Sequence, residues 1–152
     1  MGTLGYVYHN LRDWIGNEPF FMSNADELKT VDLSCMHEFH MKNSGVATIA
    51  LMKVDNPSDY GVAITENEKI VKFLEKPENP PSSFVSGGLY LLSPEAFSHV
   101  NVKEPASNFL MIEKDLFPKL AESGLLLGFK HDGQFFDCGT FERLEYAIKH
   151  FK

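Results

Sequence analysis

The chain has 152 residues, of which 43% are apolar and 23% charged, a size and balance that fit one soluble globular domain and argue against disorder. Its formal charge of −7, with no Lys/Arg cluster, argues against a nucleic-acid or anionic-membrane partner, because a phosphate polyanion needs a basic face. No apolar run approaches the roughly 18–20 residues of a membrane span and no charged-then-apolar leader opens the sequence, so a cytoplasmic protein with Cys35 and Cys138 as separate reduced thiols is expected.

In chain order, Leu4, Val7, Leu11, Trp14 and Ile15 recur at helical spacing, and Gly16-Asn17 with Pro19 beyond supplies a stop. "FFMS" at 20–23 predicts a short strand buried on both faces, with Asn24 and Asp26 at its carboxyl end. A helix is predicted over 33–43, with Asp32 as N-cap and Gly45 as terminator, before a strand over 46–54. This alternation predicts an α/β layered domain with parallel strands and ligands at their carboxyl ends. His37 and His40 share a helical face, but no third ligand lies nearby, and a surface or boundary role is expected of them.

Residues 60–74 read as a hairpin running into Glu75-Lys76-Pro77, and "ENPPSS" breaks regular structure. A strand over 84–92 carries the adjacent glycines Gly87 and Gly88, and "SPEAF" starts a short helix with Ser93 as cap. After a loop around "NVKEPASN", residues 109–124 show a helical pattern interrupted by Pro118, with Gly124 just past its end. "LLLGFK" and "QFFD" flank His131-Asp132-Gly133, a hairpin signal, and a last helix follows Thr140. No repeat or interdomain linker stands out, so residues 1–152 are read as a single domain.

Asp26 and Asp137 each end a predicted strand. They could share a magnesium ion if both strand ends face one crevice, since magnesium favours oxygen and keeps waters or phosphates as its other ligands; equally, each could simply cap the turn that follows. Glu75 and Lys76 carry two readings as well. One is a solvated ion pair where Pro77 stops the ladder; the other is a carboxylate accepting sugar hydroxyls beside an ammonium that neutralises a phosphate. Ser86-Gly87-Gly88 could let backbone approach such a sugar, or mark a β-bulge.

Taken together, "NADELKTVDL", "YGV", "FLEKP", "SGGLYLLSPEAF", "IEKDLFPKLAESGLLLGF" and "FFDCGT" occur in the order seen in sugar-phosphate nucleotidyltransferases, which the chain resembles over nearly its full length. The likeness is strongest to the branch of mannose-1-phosphate guanylyltransferases and glucose-1-phosphate thymidylyl- or uridylyltransferases. It implies the C-terminal portion of a Rossmann-like domain, a mixed sheet with flanking helices and β-hairpins. It further implies transfer of a nucleoside monophosphate from a nucleoside triphosphate to a sugar 1-phosphate, with release of pyrophosphate. By motif matching, Asp26 and Asp137 would bind magnesium. Glu75 and Lys76 would hold the sugar hydroxyls and the phosphate, and Gly61, Ser86, Gly87 and Gly88 would line the sugar pocket. Gly2, Thr3 and Gly5 would lie beside the nucleotide. Asp26, Asp137 and Lys76 carry catalysis in this reading.

The sequence departs from that pattern in having no GxGTRL-type loop and no following lysine, with Ala25 for a usual Gly and Ser86 for a usual Asn. The resemblance therefore predicts an apolar sheet edge beside "FFMS" and "VATIAL", and a need for a longer product, a complementing chain or self-association. The alternatives to an enzyme are a non-catalytic sugar-phosphate-binding or assembly module, or an inactive fragment.

Overall fold

The computed structural model describes residues 2–100 and 109–152; the predicted loop over "NVKEPASN" lies outside them. A six-stranded mixed sheet, in the order β1-β6-β3-β7-β5-β4, forms the centre. Its strands are β1 (Phe20–Ser23), β3 (Ala47–Lys53), β4 (Gly61–Glu66), β5 (Lys69–Glu75), β6 (Phe84–Leu92) and β7 (Leu126–Lys130). A separate two-stranded ladder joins β2 (Glu27–Lys29) to β8 (Phe135–Asp137). The sheet curls enough for Val62 of β4 to pair with Val85 of β6. No described helix is long and apolar enough to cross a membrane.

The two-residue side-chain period of a strand explains how the layers divide. Along β3, Ile49 and Leu51 enter a large core with Leu4, Tyr90, Leu116, Phe117 and Leu120, whereas Ala50 points to the other face and packs with Met36, Leu89 and Leu91. The first face is covered by α1 (Thr3–Tyr6) and α4 (Phe117–Glu122), and the second by α3 (Leu33–Asn43). The N-terminal helical stretch runs from α1 through a π-helical turn, Val7–Leu11, into α2 (Arg12–Ile15), and Gly16 at φ 70° ends it. Asp32 caps α3 by accepting the Cys35 amide at 2.9 Å, and Thr140 caps α5 (Phe141–His150) by accepting the Arg143 amide at 3.2 Å.

Several expectations are corrected. The strands are not uniformly parallel: only β3 and β7 run together, and the other pairings are antiparallel. "FFMS" is an edge strand with alternating exposure rather than one buried on both faces, because only β6 pairs with it. "VATIAL" borders no edge, since β6 and β7 flank β3. Ser44, at φ 52°, takes the left-handed position after α3, and Gly45 follows it. Ser93 makes no side-chain cap; its hydroxyl bonds His40 Nε2 at 3.0 Å. His40 is buried, with Nδ1 on Thr48 Oγ1 at 2.7 Å, and holds the interior instead of a surface. The helical stretch after Met111 begins at Ile112 as a π-helical turn, and Pro118 sits in the first turn of α4, where its missing N–H costs nothing.

The largest departure concerns residues 126–137. "LLLGFK" and "QFFD" form no hairpin, because β7 already has a partner on each edge. The chain leaves the sheet after Lys130, and Gln134 exchanges bonds with Thr30: its amide reaches Thr30 Oγ1 at 2.9 Å and its carbonyl accepts the Thr30 amide at 3.1 Å. β8 then pairs with β2, a strand that sequence periodicity did not reveal.

Candidate active site

The β2–β8 ladder sets Glu27 opposite Asp137, and the Asp26 carbonyl accepts the Cys138 amide at 2.7 Å. Two aspartates that are 111 positions apart in sequence thereby meet. The hairpin β4–β5 sets Gly61 opposite Glu75. Lys76 follows in the left-handed region at φ 46°, with its amide donating to the Tyr60 carbonyl at 3.1 Å. A non-glycine residue in that region before a proline is strained, and such strain persists where the surroundings impose it. The third side is β6, whose pairing with β3 slips between Ile49 and Leu51. Gly88, at φ 57°, makes that bulge, and its carbonyl accepts the Asn24 amide at 2.8 Å.

These elements enclose a cavity of about 260 Å³. Asp26, Gly61, Glu75, Lys76, Ser86 and Asp137 line it together, as do Asn24, Glu27, Asp59, Tyr60, Tyr90, Met111 and Glu113. Gly88 lies just behind the wall: a Cβ there would overlap the Glu27 carboxylate and crowd Asn24. Gly87 turns to the opposite face, where a Cβ would press on Met52. Gly2 and Gly5 pack against the backbone of Leu110 and Thr3 is exposed, and none of the three is among the residues that line the cavity.

Glu113 is the residue that sequence reasoning missed. Its Oε1 accepts the Tyr90 hydroxyl at 3.3 Å, while its Oε2 is buried without a hydrogen-bond partner among the described residues. Burial and the nearby Glu113 charge push the Tyr90 pKa well above its usual value, so the phenol stays protonated and donates. Ser86 Oγ reaches Tyr90 Oη at 3.4 Å and accepts the Gly88 amide at 3.3 Å, which ties the bulge to the carboxylate. The signal available was a charge set between Ile112 and Leu116, both fully buried. Glu75 shares the cavity: desolvation, then the charge of Glu113, raises its pKa, and Lys76 and Lys114 partly offset that rise. A Cβ at Gly61 would first strike the Phe73 ring and would also lie 3.2 Å from Glu75 Oε2.

The two aspartates suit a small hard cation. A Cβ placed on Gly139 would lie 3.1 Å from Asp137 Oδ1 and 3.8 Å from Asp26 Oδ2, so both carboxylates reach within 4 Å of one point beside Gly139. Among the described residues no three His, Cys, Asp or Glu side chains form a complete ligand set. A cation here would therefore complete its shell with water or phosphate oxygen. Asp137 Oδ1 accepts the Gly139 amide at 2.7 Å, and its Oδ2 accepts Arg143 Nη1 at 2.5 Å.

The family model described as nucleotidyl transferase matches residues 5–152. Mannose-1-phosphate guanylyltransferase 1 of Arabidopsis thaliana is 36% identical over 140 residues, 91% of this chain and 37% of the relative. Mannose-1-phosphate guanyltransferase beta-B of Xenopus laevis is 36% identical over 125 residues, 81% of this chain and 33% of the relative. A Bacillus anthracis structure assigned as a glucose-1-phosphate thymidylyltransferase, in complex with a sucrose, superposes with a TM-score of 0.85 at 27% identity, covering 97% of this chain and 60% of that one. UDP-glucose pyrophosphorylase complexed with UDP-glucose superposes with a TM-score of 0.75 at 26% identity, covering 99% and 64%. The chain spans about a third of the length of the curated relatives it matches.

Proposed function

Because the chain belongs to the nucleotidyl transferase family, we propose that it carries the sugar-phosphate and metal half of a site that converts a sugar 1-phosphate and a nucleoside triphosphate into a nucleotide sugar and pyrophosphate. The observation that carries this reading is the meeting of Glu75, Glu113, Lys76, Asp26 and Asp137 around one cavity. Glu75 and Glu113 accept hydrogen bonds from sugar hydroxyls; Oε2 of Glu113 is buried with no donor among the described residues, and a shift of its side chain would offer it to a hydroxyl. Lys76, on the strained turn, places an ammonium against the sugar's phosphate. Gly61 leaves room beside Glu75, and Ser86 and Gly88 hold the opposite wall.

In the reaction, an oxygen of the sugar 1-phosphate attacks the α-phosphorus, one P–O bond forms, and the bond to the bridging oxygen of pyrophosphate breaks. Rate comes from holding two polyanions in line and offsetting their repulsion. Magnesium, held by Asp26 and Asp137, would add positive charge to this carboxylate-rich cavity. Six carboxylates line the cavity, those of Asp26, Glu27, Asp59, Glu75, Glu113 and Asp137; Lys76 brings the one ammonium among the described lining residues, while Lys29 pairs Glu27 and Arg143 pairs Asp59 and Asp137 from outside it. Gly2, Thr3 and Gly5, outside the cavity's lining, would border the nucleotide.

That charge balance also favours a second reading, a binding or assembly module that keeps the sugar phosphate while a longer product, a complementing chain or a second copy brings the triphosphate groups. The two readings separate experimentally. Calorimetry with mannose-1-phosphate and glucose-1-phosphate should show binding that Glu75→Ala and Lys76→Ala each weaken at least about tenfold. Magnesium-dependent pyrophosphate release with several nucleoside triphosphates then tests catalysis, and binding without release selects the module. Absence of binding to either sugar phosphate defeats both.

A further inference from the structure

Asp137 is already occupied by a cation of the protein's own. Arg143, in the first turn of α5, sends Nη1 to Asp137 Oδ2 at 2.5 Å and Nη2 to Asp59 Oδ2 at 2.9 Å. Its planar fork thus spans two carboxylates from distant parts of the chain, one ending β8 and one on the turn Pro57–Asp59 just before β4. Asp137 is the most enclosed of the three, with its side chain 20% exposed against 43% for Arg143 and 64% for Asp59. Both Asp137 oxygens are engaged, since Oδ1 holds the Gly139 amide. Arg143 comes from outside the cavity, through a neighbouring aromatic cleft that it lines with Phe136 and Tyr146.

We propose that Arg143 is a resident counter-cation of Asp137 that a divalent ion must displace, so that it holds down the metal affinity of the ligand-free chain. The proposal rests on the reading of Asp26 and Asp137 as metal ligands. A divalent ion coordinated by Asp137 would face the guanidinium across one carboxylate, and the two positive charges repel. Breaking the Arg143–Asp137 bond opens Oδ2 to the ion, while the bond to Asp59 keeps the displaced guanidinium nearby. Arg143 is therefore a positioning residue, acting through Asp137 rather than on substrate.

Titration of the purified chain with Mn²⁺, followed by the electron paramagnetic resonance signal of the free ion and without any nucleotide, tests this directly. Arg143→Gln should bind Mn²⁺ about tenfold more tightly than the unmodified chain, as expected for removing one like charge beside a part-exposed ion. Arg143→Lys, which keeps the charge, should stay within about threefold of the unmodified chain. Adding Asp137→Asn to Arg143→Gln should abolish the gain. Circular dichroism checks that the fold persists, and Arg143→Met provides a second neutral variant. Equal or weaker Mn²⁺ binding in both neutral variants, including no binding at all, overturns the proposal, as does a gain that survives Asp137→Asn. Sugar-phosphate calorimetry with Glu75→Ala judges the functional reading separately.

Discussion

Glu75 is a carboxylate held where the fold disfavours its charge, because burial and Glu113 both raise its pKa above the usual 4.5. The unfolded chain lacks that penalty. This group's contribution to stability is therefore full below pH 4.5 and declines as pH rises through the elevated folded value, leaving a cost at neutral pH. Glu75→Gln should raise neutral-pH stability in urea denaturation while weakening sugar-phosphate binding about 10- to 100-fold; a variant less stable than its parent would refute this account. His40 gives the opposite sign. Burial, then the charge of His37, lowers its pKa below 6.5, so its stabilising contribution is complete above that value and is lost as pH falls toward the depressed folded value. Between about pH 7.5 and about pH 5.5 the parent should lose more stability than His40→Gln, and equal losses would remove His40 from the explanation. Both residues were visible as candidates in sequence, but their environments were not: the partner of Glu75 is 38 positions away and Ser93 lies 53 positions from His40.

At the scale of elements, the bulge in β6 and the β2–β8 ladder build the site between them. Gly88 at φ 57° lets β6 step past β3 and brings Glu27 against the backbone, where Lys29 holds the Glu27 carboxylate at 2.8 Å. Gly88→Ala must adopt a strained φ and push the Glu27 carboxylate aside. A loss of about 1–3 kcal/mol in denaturant-induced unfolding is expected, and a cost within about 0.5 kcal/mol would show that the bulge relaxes freely. Gly87, its neighbour, faces Met52 on the other side of the sheet, so the adjacent glycines serve different surfaces. The hairpin β4–β5 follows its sequence signals because two β-favouring runs meet across a short polar turn, with Asn67 at φ 54°. β8 does not, since β7 had no free edge to offer.

For the whole molecule, the cavity draws on residues from Asn24 to Asp137, so a ligand that bridges them must stabilise the fold as a unit. A sugar phosphate at about 100 times its Kd should add about 2.7 kcal/mol and raise Tm by about 5–10 °C in a chain of this size. Scanning calorimetry checks this, and Glu75→Gln at the same concentration should show a smaller shift; an equal shift would place the ligand elsewhere. The surface also carries large apolar side chains, with Trp14 84%, Phe141 88% and Ile148 71% exposed. The net charge of −7 opposes self-association of those faces at low salt.

The sequence by itself determined most of the elements, the helix caps Asp32 and Thr140, and the position of Glu75-Lys76 at a strand end. It could do so because periodicity, capping and turn chemistry act over a few neighbouring residues. The tertiary structure alone decided that Asp26 and Asp137 meet, that Glu113 joins the cavity's lining with one oxygen buried and unpartnered among the described residues, and that Arg143 joins Asp59 to Asp137. Those outcomes depend on which strand edges remain free after the sheet forms and on which buried polar groups find partners. Both are settled by contacts far apart in the chain, on which no local pattern reports.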